Sequence, residues 1–402
     1  MDPKTEILLI SERASKAKAE RDDVIDGTIG MLMGNDGELA VIPAVSKTFG
    51  ERLNFKYPPI SGDPKYKDLA FQWVFGDSKA EAEKNNEVNL FGTLGGTGAV
   101  FMAMRYAGHQ DYEILIPDIA WPNYKTIAEA NGLSASEYSL FTKEGGFNFP
   151  AVEAKVREAK KNHRGFMLIV NDPCENPTGY SLTREEGEEL YEKVAEWGEE
   201  YNISASLLFD IAYLDFAAQV PSWLAIAARG QYGGVETFIA FSASKTFSCY
   251  GLRIGELIAL KPKPAPLGYS KALVGYLSEL ARGIYSMPNG TGMRALAKIM
   301  DPAVVRDTKA QVHAIERILR ERGNKIGDSL KSLRVPFLPY KEGFFLTVAT
   351  NGKNAVDITQ ALEREGIYLV PMPPHFIRVS IGSLKSGQES PLAKALAKEI
   401  VG

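Results

Sequence analysis

Four short apolar runs, Glu113–Pro117, Phe166–Val170, Ser206–Phe209 and Phe238–Phe241, each pass straight into polar or aromatic residues, and helical periodicity fills the stretches between them. Runs of that length bounded by turn residues read as buried strands. Strand, helix and strand in repetition build a mostly parallel sheet with right-handed crossovers, so the strand ends fall along one edge, where open α/β sheets bind ligands. Trp121 follows the first run, Asn171 and Asn176 the second, Asp210 and Tyr213 the third, and Ser242, Ser244 and Lys245 the fourth. Among the connecting helices, Thr183-Arg-Glu-Glu186 reads as a capping box. Leu190, Val194 and Trp197 then share one face of a helix expected to end before Tyr201.

Lys245 lies at the mouth of its strand, and Arg253 follows eight residues later. An amine held against apolar surroundings has its charged form disfavoured, which frees it to attack a carbonyl. Ser242, Ser244 and Arg253 add two hydroxyls and a planar five-donor fork, a set suited to a phosphate dianion. A Ser-x-Ser-Lys run alone is common in solvated loops; with the arginine it suggests a phosphorylated aldehyde, pyridoxal phosphate. A second anion seat is Gly95-Gly-Thr-Gly98, which feeds a helix expected over Ala99–Ala107. It lacks the endings of nucleotide and dinucleotide loops, so neither ATP nor NAD is favoured.

The whole stretch from Phe238 to Gly255 resembles the cofactor-lysine signature of class I aminotransferases, fold type I, and most closely the aspartate and aromatic aminotransferases. Cys249 stands where that signature has an aliphatic residue. Other motifs match in the same order. Gly95-Gly96-Thr97-Gly98 resembles the family's phosphate segment, with Gly96 and Thr97 as contacts, and Asn176-Pro-Thr-Gly179 its turn whose asparagine donates to the ring's phenolic oxygen. Trp121 matches the aromatic residue stacked on the pyridine, and Gly30 the glycine that lies against substrate. Tyr57 lies in a loop like the family's Tyr-x-Pro-Ile-x-Gly, whose tyrosine reaches the phosphate of the other subunit; Arg282-x-x-Tyr285-Ser-x-Pro288 resembles the motif whose arginine reads a distal carboxylate. Arg378 would clamp the substrate α-carboxylate. Tyr124 and Asn171 depart from the pattern, standing where aspartate aminotransferases carry histidines.

The resemblance implies an α/β fold type I protein: a large domain, residues 44–305, with a mostly parallel seven-stranded sheet, and a smaller α/β domain from residues 1–43 and 306–402. Within the large domain, Val88–Phe91 reads as another strand and Leu252–Leu260 as the sheet's single antiparallel one. In the smaller domain Val24–Gly30, Glu342–Val348 and Phe376–Gly382 read as strands, and a long helix is expected from about Asp307 to Leu333. The implied chemistry is transamination. Lys245 forms a Schiff base with pyridoxal phosphate and later acts as acid and base; Asp210 keeps the pyridine nitrogen protonated, while Tyr213 and Asn176 donate to the phenolate. Substrates would be amino acids and 2-oxo acids in ping-pong turnover, dicarboxylic or aromatic, with active sites shared in a homodimer. A lyase or decarboxylase on the same cofactor, or a regulatory module of this ancestry, is the alternative.

Size and charge agree with an enzyme of small molecules. The chain has 402 residues, 45% of them hydrophobic, enough for two domains, and its formal charge of −4 gives no basic surface for nucleic acid or anionic membrane. Two cysteines and four scattered histidines offer neither a disulfide framework nor a metal site, and fit a reducing cytoplasm. The apolar run Ile7–Ile10 is too short for a signal or a membrane span.

Overall fold

The structure, a computed structural model, describes residues 3–50 and 53–402. Twelve strands are found among them: β1 (Ile25–Asp26), β2 (Asn86–Thr93), β3 (Tyr112–Pro117), β4 (Ala135–Tyr138), β5 (Gly165–Asn171), β6 (Ser204–Asp210), β7 (Val235–Ser242), β8 (Gly255–Pro262), β9 (Phe345–Ala349), β10 (Ile367–Tyr368), β11 (Val370–Met372) and β12 (Phe376–Ser380). Seven of them form one sheet in the order β2-β8-β7-β6-β5-β3-β4. Strand β8 pairs antiparallel with both neighbours and every other pairing is parallel.

The sheet is buried on both faces because its strands are apolar at consecutive positions, as parallel strands under crossover helices must be. Alternate residues serve alternate faces. Leu168, Val170, Leu207, Phe209, Ile239 and Phe241 pack with Leu190, Val194 and Trp197 of the helix Arg184–Tyr201. Met167, Ile169, Leu208, Phe238 and Ala240 pack with Val100, Ala103 and Met104 of the helix Gly95–His109. A third core joins Ile25 and Leu32 to Leu319, Ile326 and Leu330 of the helix Val305–Ser332, and to β9 and β12. Here β11, β12 and β9 make a three-stranded antiparallel sheet, and β1 pairs with β10.

Several local readings shift. The run 24–30 pairs only at Ile25–Asp26, because its remaining polar groups bond other partners: Thr28 Oγ1 donates to Asp26, and Gly27 accepts from Ser380 N. The strand read from Leu252 begins at Gly255, since Tyr250–Leu252 is a 3₁₀ turn and Arg253 is left-handed (φ 52°). The strand read from Glu342 begins at Phe345 because Lys341 and Glu342 bond back to Gly179 O. The capping box is present, and its helix runs through Tyr201 to a left-handed Asn202. Strand β4 carries too little apolar character, Ala-Ser-Glu-Tyr, to be read as a strand from sequence.

Candidate active site

Register brings the strand ends level. Asn171 of β5 lies opposite Asp210 of β6, Asp210 opposite Ala240 of β7, and Gly255 of β8 opposite both Ser242 and Thr93. Beyond this edge lies a cavity of about 440 Å³, walled by Gly96, Thr97, Trp121, Asn171, Asn176, Asp210, Tyr213, Ser242, Lys245, Tyr250, Arg253 and, from the other core, Thr28, Gly30, Phe345 and Arg378. A larger cavity of about 710 Å³ is lined by Arg184, Val220 and Glu342, but its carboxylates are already bonded. Asp172 accepts from Leu182 N and Trp223 Nε1, Glu342 from Ser181 Oγ and Ala218 N.

Lys245 sits in the short helix Ala243–Thr246, with its Nζ 5.6 Å from the Tyr213 ring centre and 6.0 Å from that of Tyr250. Burial lowers its pKa from 10.5 to about 8; Asp210 opposes that shift and Arg253 assists it. The turn is anchored from behind, where Asp215 accepts from Thr246 Oγ1 at 2.7 Å and from Trp73 Nε1 at 3.0 Å. Asp210 is buried, and burial raises its pKa against donors from Tyr124 and Ala212 and the charge of Lys245.

Arg378 is 6% exposed, which explains how a charged residue between Ile377 and Val379 occupies a strand interior. Its guanidinium lies 4.7 Å from the Phe345 ring centre, and Nη2 donates to Thr28 O at 2.7 Å. Nη1 stands 3.5 Å from Asn176 Oδ1, and Nε has no protein partner. Burial pulls its pKa from 12.5 down to about 10. A buried cation with one donor unpaired can seat an anion.

The sequence profile of the aminotransferase class I and II family matches residues 24–396. The chain belongs to this family. Over 392 residues it is 26% identical to an aromatic-amino-acid aminotransferase of Paracoccus denitrificans, covering 94% of this chain and 93% of the other. An aspartate aminotransferase of Salmonella typhi is 25% identical over 395 residues, covering 94% and 93%. Among solved structures, an aminotransferase from Anaerococcus prevotii superposes with a TM-score of 0.89 at 24% identity over 98% of this chain and 96% of that one. An aromatic-amino-acid aminotransferase of Burkholderia pseudomallei, covalently bound to pyridoxal phosphate, superposes with a TM-score of 0.81 at 21% identity, covering 98% and 96%.

Class I and II aminotransferases are pyridoxal-phosphate enzymes, and the residues present fit that group. At the phosphate end, the helix Gly95–His109 starts without a side-chain cap, so its first N–H groups stay free for an anion. Arg253 Nη1 donates to Ser244 Oγ at 3.1 Å, and its Nη2 lies where a Cβ on Gly95 would come within 2.5 Å. Gly95, at φ 71°, is therefore required by both conformation and space. Gly96 backs onto Ser242, whose Cβ would be 3.0 Å from an added one.

Trp121 forms part of the cavity wall and meets Tyr124 edge-on, ring centres 5.4 Å apart. Gly30 allows the chain to pass Phe345, whose Cζ would lie 2.6 Å from a Cβ there. Tyr57 and Arg282 are exposed and are not among the residues lining the cavity. Sequence reasoning missed Phe345, Tyr250 and Thr28. Tyr250 accepts from Leu32 N through its hydroxyl, and no local spacing signals any of the three.

Proposed function

We propose that the protein moves an amino group between an L-amino acid and a 2-oxo acid in two half-reactions on a cofactor held by Lys245. The observation that supports this most is the pairing, in one cavity, of an amine driven toward its free form by burial with a buried arginine whose Nε is unpaired. Bound pyridoxal phosphate supplies an aldehyde carbon and a ring that accepts the electrons of the substrate's Cα–H bond. Asp210 holds the proton at the ring nitrogen, and Tyr213 and Asn176 donate to the ring oxygen. Trp121 covers a ring face. Gly96, Thr97, Ser242, Ser244 and Arg253 hold the phosphate. Lys245 would take the proton from the substrate's Cα and return it at the cofactor's aldehyde carbon, on the far side of the bridging nitrogen, while Arg378 clamps the α-carboxylate and Gly30 closes the wall beside it.

Residues 44–305 form the cofactor-binding domain in this reading, and 1–43 with 306–402 the smaller one. Tyr57 and Arg282 are exposed and lie outside the lining of their own cavity, which supports, as the functional unit in the cytoplasm, a homodimer in which the partner subunit's Tyr57 reaches the phosphate and the partner subunit's Arg282 reads the substrate side chain. Relatives named for aspartate and for aromatic amino acids support a dicarboxylate as one amino donor and an aromatic amino acid as another.

Borohydride reduction of the loaded protein, followed by peptide mapping, should find the pyridoxyl group on Lys245. An adduct on another lysine, or none, refutes the assignment. Turnover without any 2-oxo acid would mark a lyase instead.

A further inference from the structure

A buried carboxylate that must stay ionised beside a ring nitrogen depends on its other donors. Asp210 Oδ1 accepts from Ala212 N at 3.2 Å, and Oδ2 accepts from the Tyr124 hydroxyl at 2.9 Å. Tyr124 has no exposed surface and belongs to the helix Asn123–Ala130, directly after Trp121. Asn171 completes the support from β5: its Nδ2 donates to the Asp210 main-chain oxygen at 2.8 Å, and its Oδ1 accepts from Asn176 N at 2.8 Å. The two positions that depart from the family's histidines thus both bond Asp210 through neutral groups.

The charged and titratable groups around this pair are Lys245 from its short helix, Tyr213 after β6, Glu175 in the turn after β5 and Arg378 from β12. No histidine lines the cavity among the described residues. Burial and the neighbouring Asp210 charge hold the Tyr124 proton far above the ordinary phenol range.

We propose that Tyr124 is a positioning residue: its hydroxyl aims the Asp210 carboxylate at the cofactor's ring nitrogen, draws charge from it so that the shared proton stays on nitrogen, and keeps the local charge constant across neutral pH. A carboxylate relieved of part of its charge competes less for that proton. A phenol donates as a neutral histidine would, but it does not become a cation between about pH 5 and 8. The proposal rests on reading Asp210 as the nitrogen's partner.

The test is a pH titration of the bound cofactor's absorption, with its affinity measured by equilibrium dialysis, on loaded wild type, Tyr124→Phe, Tyr124→His and Asp210→Asn. Wild type should show one transition. In Tyr124→Phe the proton moves toward Asp210, the ring becomes less electron-poor, the Lys245 nitrogen becomes more basic, and the midpoint rises by roughly half to one pH unit. Tyr124→His should keep the wild-type midpoint where the imidazole is neutral and add a second transition between about pH 5 and 8. A wild-type midpoint in Tyr124→Phe, or a single transition in Tyr124→His, overturns the proposal. Should Tyr124→Phe fail to fold in a thermal melt, Tyr124→His decides alone. If Asp210→Asn leaves both midpoint and affinity unchanged, the reading of Asp210 itself falls. A shift in Asp210→Asn without one in Tyr124→Phe removes only the role of Tyr124.

Discussion

Lys245 shows how one residue's environment sets both reactivity and stability. Its amine is protonated in folded and unfolded protein alike below about pH 8, so there the cofactor-free fold bears the cost of burying a charge. Between about 8 and the ordinary 10.5 the unfolded chain holds more protons than the folded one, stability rises with pH, and above 10.5 the cost is gone. Lys245→Met should therefore stabilise the cofactor-free protein at pH 7 by roughly 2 kcal/mol, after discounting for the open flank of the side chain. Melts from pH 6 to 11 should show that gain fading between about 8 and 10.5; a gain independent of pH would place the effect in packing. Arg282 makes the complementary case, since it is exposed and lies outside the lining of the cavity. Arg282→Leu should lower kcat/KM for dicarboxylates about ten- to hundredfold and leave aromatic substrates nearly unchanged. An equal loss for alanine, phenylalanine and aspartate in single-turnover assays would show that Arg282 does not read the side chain. Lys245 and its hydroxyls were legible because they lie within one short run; Phe345, 100 residues on, was not.

At the scale of elements, caps and turns decide where the strand ends point. Glu186 closes the capping box by accepting from Thr183 N, and it also accepts from Phe147 N and the Tyr180 hydroxyl. Thr183→Ala should cost about 1 kcal/mol in urea unfolding. Glu186→Ala should cost more, on the order of 2–3 kcal/mol, because it orphans Phe147 N and Tyr180 as well; equal losses would mean that only the cap matters. The phosphate seat depends on Gly95 in the same way. A methyl group there would push Arg253 aside, so Gly95→Ala should raise the Kd for pyridoxal phosphate by roughly tenfold or more, read by equilibrium dialysis. The parallel strands were readable as continuous apolar runs. Strand β4 was not, because only Tyr138 of its four residues is buried and its pairing with β3, a non-local contact, is what makes it a strand.

For the whole molecule, the shared site proposed above makes a numerical prediction. With a dicarboxylate as substrate, mixing inactive Lys245→Ala subunits with impaired Tyr57→Phe/Arg282→Leu subunits should restore full activity in about a quarter of all sites, the share expected when half of the dimers are mixed and each has one intact site. No recovery in verified heterodimers would mean that each subunit serves itself. The sequence by itself determined the alternation of strands and helices, and with it the edge where Trp121, Asn176, Asp210 and Lys245 meet, since period and turn chemistry are local properties. Only the tertiary structure decided what faces that edge. The hydroxyl of Tyr124 on Asp210, the ring of Phe345 beneath Arg378 and the carbonyl of Thr28 on its guanidinium join residues up to 350 positions apart. Such contacts arise because two cores close on one cavity, and no spacing along the chain encodes which buried groups will lack partners until they do.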